Sequence, residues 1–296
     1  MIFTVYLPLI SVLLLAGVAP VIGRRVRPAI ATPVLGAVAV VAGAATLTTL
    51  ALLAVGGALR PIALAGWGLD RGTADAVLAA DSVPWPLGVA ALLLLGMAGG
   101  RALRVLRGER AALENLRRVV AGHHGELLVL NDDRPYAYAV PSGTGTIIVS
   151  TAMLTALNAG ERRAMLAHER AHLSGHHHRY RLISRLAAAV NPALRQLDHQ
   201  IGFQIERWAD ERAADCTSRP VAARSLARAA LAGPPRSSGV LAYAQHAVAS
   251  RVRALSTGPA PDRWITVLPT LVIAVMVVAA LADAAGACWR LLRLFG

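Results

Sequence analysis

Residues 167–180 read AHERAHLSGHHHRY, and three of them are spaced for metal chemistry. On a helix, His168 and His172 stand one turn apart on one face, so two imidazoles can point at one ion. Glu169, beside the first histidine, is then placed to take a proton from a water activated by that ion. The ion that suits this pattern is zinc, Zn2+, which polarises a scissile carbonyl and draws the pKa of water towards neutrality. A catalytic zinc needs a third protein ligand and an open fourth position. The sequence offers two sources for that ligand.

The first is His178, if the stretch is read as HExxHxxGxxH with Gly175 turning the chain. The metzincins share that pattern and place a methionine downstream, beneath the metal. After residue 178 the only methionine is Met276, inside an apolar run, so this reading fails. The triple His176-His177-His178 is then expected to be a polar helix end or a solvated turn. The second source is ERWADERAAD, residues 206–215, which holds E-x-x-x-D twice, as Glu206 with Asp210 and as Glu211 with Asp215. One helical turn separates the members of each pair, so a Glu can bind zinc while its Asp orients a ligand histidine from behind. Alone, the stretch reads as a charged helix face with Arg207 and Arg212 as partners. Following HExxH after a loop at Asn191-Pro192, it reads as the missing ligand.

These residues need elements to hold them. TAMLTALNAGERRAMLAHERAHLSG reads as helices, with Asn158 capping the one that carries the histidines. RQLDHQIGFQIERWADERAADCTS reads as a further helix after Asn191-Pro192. Upstream, ELLVLNDDRPYAYAVPSGTGTIIVS alternates and turns like strands, and RALRVLRGERAALENLRRVVAG has helical spacing. Gly233-Pro234-Pro235 interrupts the later helical stretch.

Around this polar region the chain is strongly apolar: 55% of its 296 residues are hydrophobic and the mean hydropathy is +0.52. Four runs approach the roughly 20 residues a spanning helix needs, at Ile2–Ile22, Ile30–Ala58, Pro84–Gly100 and Trp264–Ala285. No basic residue precedes the first and no small-residue cleavage site follows it, so a retained anchor is expected rather than a signal peptide. Arg24, Arg25 and Arg27 follow the first run, and Arg101, Arg104, Arg107, Arg110, Arg117 and Arg118 follow the third. That asymmetry predicts an N-terminus outside the cell and residues 101–262 in the cytoplasm. The net charge of +13, carried by arginine alone, sits beside apolar runs without a DNA-binding motif, so no nucleic-acid partner is expected. Cys216 and Cys288 lie far apart and form neither a disulfide framework nor a zinc ribbon, as suits a reducing compartment.

RPYAYAVPSGTGTIIVSTAMLTALNAGERRAMLAHERAHLSGHHHRY, followed by NPALRQLD and ERWADERAAD, resembles the gluzincin membrane metallopeptidases. The resemblance is to peptidase family M-fifty-six, the BlaR/MecR type of antirepressor and sensor proteases, with the HtpX type as nearest relative. It covers roughly residues 126–256. It implies that Glu206 is the third zinc ligand, with His168 and His172, and that Asp210 stands behind a ligand; Glu211 and Asp215 are the fallback. It also suggests that a strand within Tyr136–Val140 or Thr146–Ser150 pairs with an extended peptide. Penicillin-sensing members carry a large sensor domain after the last span, whereas this sequence continues for about ten residues, so the resemblance does not extend to a β-lactam-sensing role.

The expected fold is a mainly α membrane protein with four transmembrane helices. A cytoplasmic α+β zincin-like (gluzincin) protease domain is inserted between the third and fourth spans. The divisions are 1–100 for three spans, 101–262 for the peptidase and 263–296 for the last span and tail. The expected function is a zinc-dependent endopeptidase acting on a cytoplasmic or membrane protein, with a regulatory repressor as one substrate class. An HtpX-like quality-control protease and a non-catalytic membrane adaptor are the alternatives; intact Glu169 speaks against the adaptor. An intramembrane protease is disfavoured because Glu161, Arg162, Arg163 and Arg179 flank the motif. Partners are a protein or peptide substrate, the lipid bilayer and a partner sensor protein. His199, Tyr180 and nearby arginines are the candidates for stabilising an oxyanion.

Overall fold

A computed structural model describes residues 20–65, 83–233, 238–258 and 267–292, with Leu14, Gly17 and Gly72. Residues 20–25 are helical, and two long helices follow, α1 (Pro28–Leu64) and α2 (Trp85–Val119). Three short strands come next: β1 (Leu127–Leu130), β2 (Ala137–Val140) and β3 (Thr146–Ser150). The remaining helices are α3 (Thr151–Ala156), α4 (Ala159–Ser174), α5 (His177–Val190), α6 (Arg195–Cys216), α7 (Arg219–Ala232), α8 (Ser238–Thr257) and α9 (Leu268–Leu292). The described chain is mostly helical, with one small sheet.

Among the described residues two helices are long and apolar enough to cross a membrane, Pro28–Ala58 and Trp85–Val119. The expected first span lies almost wholly outside the described residues. The expected fourth corresponds to α9, whose apolar stretch Thr270–Ala280 is shorter. The expected third span and the basic helix after it are one continuous element, α2. No proline or capping residue interrupts the hydrogen-bond ladder between them, and a glycine in a helix costs only about 1 kcal/mol. The expected division between residues 100 and 101 falls inside this helix.

The two long helices are used differently. Half of the apolar window of α1 is buried. Leu35, Val38, Ala39 and Ala42 share a core with Ala187 of α5 and with Leu197, Ile201 and Ile205 of α6. By contrast, α2 leaves Val89, Leu92, Leu93 and Met97 exposed. The two helices cross where Gly57 meets Gly88; a Cβ on Gly57 would stand 2.5 Å from the Gly88 Cα. Small residues at a crossing let backbones approach this closely.

The elements that carry the chemistry are pinned locally. Asn158 caps α4 in a reciprocal box: its Oδ1 accepts from the Glu161 N–H at 2.9 Å, and Glu161 accepts from the Asn158 N–H at 3.0 Å. Asn191 accepts from the Ala193 N–H at 3.0 Å and donates to Thr46 of α1 at 3.1 Å, tying the α5–α6 corner to α1. Gln204 and Arg207, either side of Glu206, both donate to the Gly23 carbonyl, at 3.1 and 3.0 Å. The sheet order is β1-β3-β2, parallel between β1 and β3 and antiparallel between β3 and β2. Of the two strands expected to receive a peptide, β3 is therefore central and paired on both sides. β2 is an edge.

Candidate active site

The helix α4 presents His168 and His172 on one face, and α6 brings Glu206 opposite them. One ligand atom from each lies within 4.8 Å of the others. The two Nε2 atoms are 3.2 Å apart. Glu206 places one carboxylate oxygen 3.6 Å from His168 Nε2 and the other 3.8 Å from His172 Nε2. Donors held about 2.0–2.1 Å from a tetrahedral zinc lie about 3.3 Å from one another, so this His2Glu set fits zinc. His178 is not in the group. It is exposed on α5 and lines the outer cleft.

Behind the group, His168 Nδ1 is 3.1 Å from Asp210 Oδ1. Donation to that carboxylate keeps a proton on Nδ1, so Nε2 is the nitrogen that faces His172 and Glu206 and would meet a metal. Asp210 in turn accepts two hydrogen bonds from Arg251, both at 2.7 Å, and Arg251 Nη1 stands 3.0 Å from Glu206. One guanidinium thus offsets two carboxylates that would otherwise repel each other.

Burial alone would push the His168 imidazole down, but hydrogen bonds to Asp210 and Glu206, and their charges, outweigh it and raise it to about 10. Burial also opposes ionisation of Glu206, yet the His168 hydrogen bond and the Arg251 charge hold its carboxyl well below the usual range. Asp210 follows the same pattern, lowered by Arg251 and His168 against the effect of burial. Glu169 behaves oppositely: burial raises it, only partly offset by the charge on His168. A carboxylate raised in this way takes up a proton more readily, as a general base requires.

Glu169 faces a cleft of about 650 Å³ that is also lined by Ala137, Tyr138 and Ala139 of β2. The Ala139 backbone lies close enough to Glu169 to lower it slightly against the effect of burial, so the edge strand runs beside the carboxylate. Arg181, His199 and Arg251 line the same cleft. Tyr180 does not; it packs on the α1 side of α5, against Gly36. Glu211 pairs with Arg219 and stands outside the metal group.

Two residues at the site were not anticipated. Arg251 lies on α8, 41 positions from Asp210, in a stretch whose spacing is that of any amphipathic helix. Of the two expectations for the triple histidine, a polar helix end or a solvated turn, the first fits: His177 opens α5, yet it is only 2% exposed. Its ring lies against Trp208, and its Nδ1 is 2.9 Å from His172 Nδ1. The turn itself is real, since His176 is left-handed at φ 50°. It carries His177 inwards rather than out to solvent.

Residues 108–196 match the model of Peptidase family M48. The match covers less than a third of the chain. It contains the HExxH helix and stops before Glu206, so Glu206 rests on geometry. No curated protein and no solved structure matches the chain. The matched family implies a metallopeptidase hydrolase and is typically zinc-dependent. Over this stretch the chain is similar to zincin-type M48 peptidases, and the match does not single out the BlaR/MecR type.

Proposed function

We propose that this protein is an integral-membrane zinc endopeptidase that hydrolyses peptide bonds of a protein substrate. The observation that carries the reading is the approach of His168, His172 and Glu206 at the floor of a cleft that also holds Glu169. In it His168, His172 and Glu206 hold the metal, Glu169 is the catalytic base and Asp210 orients His168.

Zinc bound there would supply Lewis-acid polarisation of the scissile carbonyl. The chain's own residues do the rest. Glu169 accepts a proton from the attacking water and later returns it to the leaving amine. Asp210 keeps His168 in the Nδ1–H tautomer, and Arg251 keeps Asp210 and Glu206 anionic. An extended peptide adds to the open edge of β2, which runs beside Glu169. Arg251, Arg181 and His199 are the cationic or polar groups within the cleft that can face a developing oxyanion.

The apolar faces of α2 and α9 are read as bilayer-facing, and the arginine distribution places the N-terminus outside and the peptidase in the cytoplasm. Within this frame the BlaR/MecR resemblance points to a regulatory repressor as substrate. The HtpX resemblance points to membrane proteins awaiting turnover.

Purified variants test the assignment through zinc content and casein cleavage or autolysis. Glu169→Gln should retain zinc and lose about 10²–10⁴-fold in rate. Glu206→Ala should lose both zinc and activity. If His178→Ala strips the metal while Glu206→Ala does not, the ligand set is wrong.

A further inference from the structure

Among the described residues no carboxylate stands behind the ring of His172. Its Nδ1 faces Nδ1 of His177 at 2.9 Å, with the two rings edge to face at 88°. His177 is held from the other side by Trp208, ring centroids 4.7 Å apart. Below it, Gly175 leaves the space the ring occupies, because a Cβ there would overlap the His177 imidazole. The left-handed residue His176 then delivers His177 to the first turn of α5. Among the described residues the Nε2 of His177 has no hydrogen-bond partner, so its contact to His172 is made through Nδ1. A buried imidazole is held in this way although it is not a member of the metal group.

We propose that His177, clamped by Trp208, is the positioning residue that fixes the tautomer and ring plane of His172 and so sets the metal affinity of the site. The inference rests on the zinc reading above. His177 accepts the Nδ1–H of His172, and the Nε2 lone pair of His172 is left facing His168 and Glu206. The segment ERWAD then serves every corner: Glu206 as ligand, Asp210 behind His168, and Trp208 behind His177. Positioning partners of this kind alter metal affinity by about 10–100-fold.

The full chain in detergent, as wild type, His177→Phe and His177→Asn, tests this. Phe keeps a flat ring against Trp208 without an acceptor; Asn offers an acceptor without the ring. Zinc affinity is measured by chelator competition, Co2+ is read by its visible spectrum, and metal-free melting controls for folding. His177→Phe should melt like wild type yet bind zinc about 10–100-fold more weakly with an altered Co2+ spectrum, and His177→Asn should recover much of the loss. Equal zinc affinity and an unchanged Co2+ spectrum in wild type and both variants would overturn the positioning role alone. A wild-type chain that takes up no zinc overturns the metal reading beneath it. Should His177→Phe misfold, His177→Ala decides: a folded protein with wild-type zinc affinity overturns the role, and a folded protein that binds about 10–100-fold more weakly, with His177→Asn recovering part of the loss, supports it.

Discussion

The two histidines of the metal group are supported in opposite ways. His168 leans on an anion: Asp210 accepts from it and is itself gripped by Arg251, which also reaches Glu206. His172 leans on a neutral ring, His177, packed against an aromatic side chain. Burial pushes His172 down to about 4 and His177 down to about 3, each helped by a neighbouring histidine, so this corner stays uncharged at neutral pH. One corner is built from charge and fails when a charge is removed. The other is built from shape and fails when the fit is lost.

The largest break in that contrast comes from Asp210→Ala. It leaves Arg251, only 12% exposed, without its main partner. Removing one member of such a buried pair costs about 3–5 kcal/mol. Chemical denaturation should show a loss of that size, together with weaker zinc binding. If Asp210→Ala is no less stable than wild type, the charged corner is not what holds α6 to α8.

A smaller break comes from Gly175→Ala, which forces the His177 ring aside while leaving Asp210 and Arg251 in place. Overpacking of this kind costs about 1–3 kcal/mol. Zinc affinity should fall with it, whereas the Asp210–Arg251 pairing, probed by a double-mutant cycle, should keep its coupling energy.

The contrast also has a pH signature in the metal-free protein. His168 is raised from 6.5 to about 10, so its contribution is complete below 6.5 and is lost as pH rises towards 10. His172 and His177 are lowered from 6.5, so theirs is present above 6.5 and is lost as pH falls towards 4 and 3. Metal-free melting temperature should therefore peak near pH 6.5. Each titrating histidine contributes a slope of at most about 1.4 kcal/mol per pH unit on its side. Zinc must displace the His168 proton, so uptake at pH 7 should release about one proton, visible by calorimetry in buffers of differing ionisation heat. A flat melting profile from pH 5 to 9 would count against the charged corner.

The smallest effect belongs to His178→Ala. An exposed side chain outside both corners should change zinc affinity by less than about twofold, within the usual range for surface substitutions.

Much of the site was legible because its signals are local. His168, Glu169 and His172 need only helical spacing, the Asn158 cap needs only four consecutive residues, and each E-x-x-x-D pair needs one turn, although spacing alone does not choose Glu206 with Asp210 over Glu211 with Asp215. Arg251 was not legible, since its partner lies on another helix and an arginine on an amphipathic stretch has many possible uses. His177 carried a signal in hindsight: glycine followed by three histidines is an unusual turn. Whether such a run faces water or the core depends on the phase that one left-handed residue sets. The choice between β2 and β3 for substrate was equally hidden, because strand order follows from long-range pairing and not from alternation within either strand.

The sequence by itself determined the chemistry on offer: a HExxH helix, a following acidic helix, and apolar runs long enough to span a bilayer. Tertiary structure decided how each was used. It turned one apolar helix inwards, to form a core with α5 and α6, and left the apolar face of another exposed. It also brought Arg251 and His177 to opposite sides of the metal group. Composition and period report which faces are apolar or charged, but only the packing of distant helices decides which of them meet.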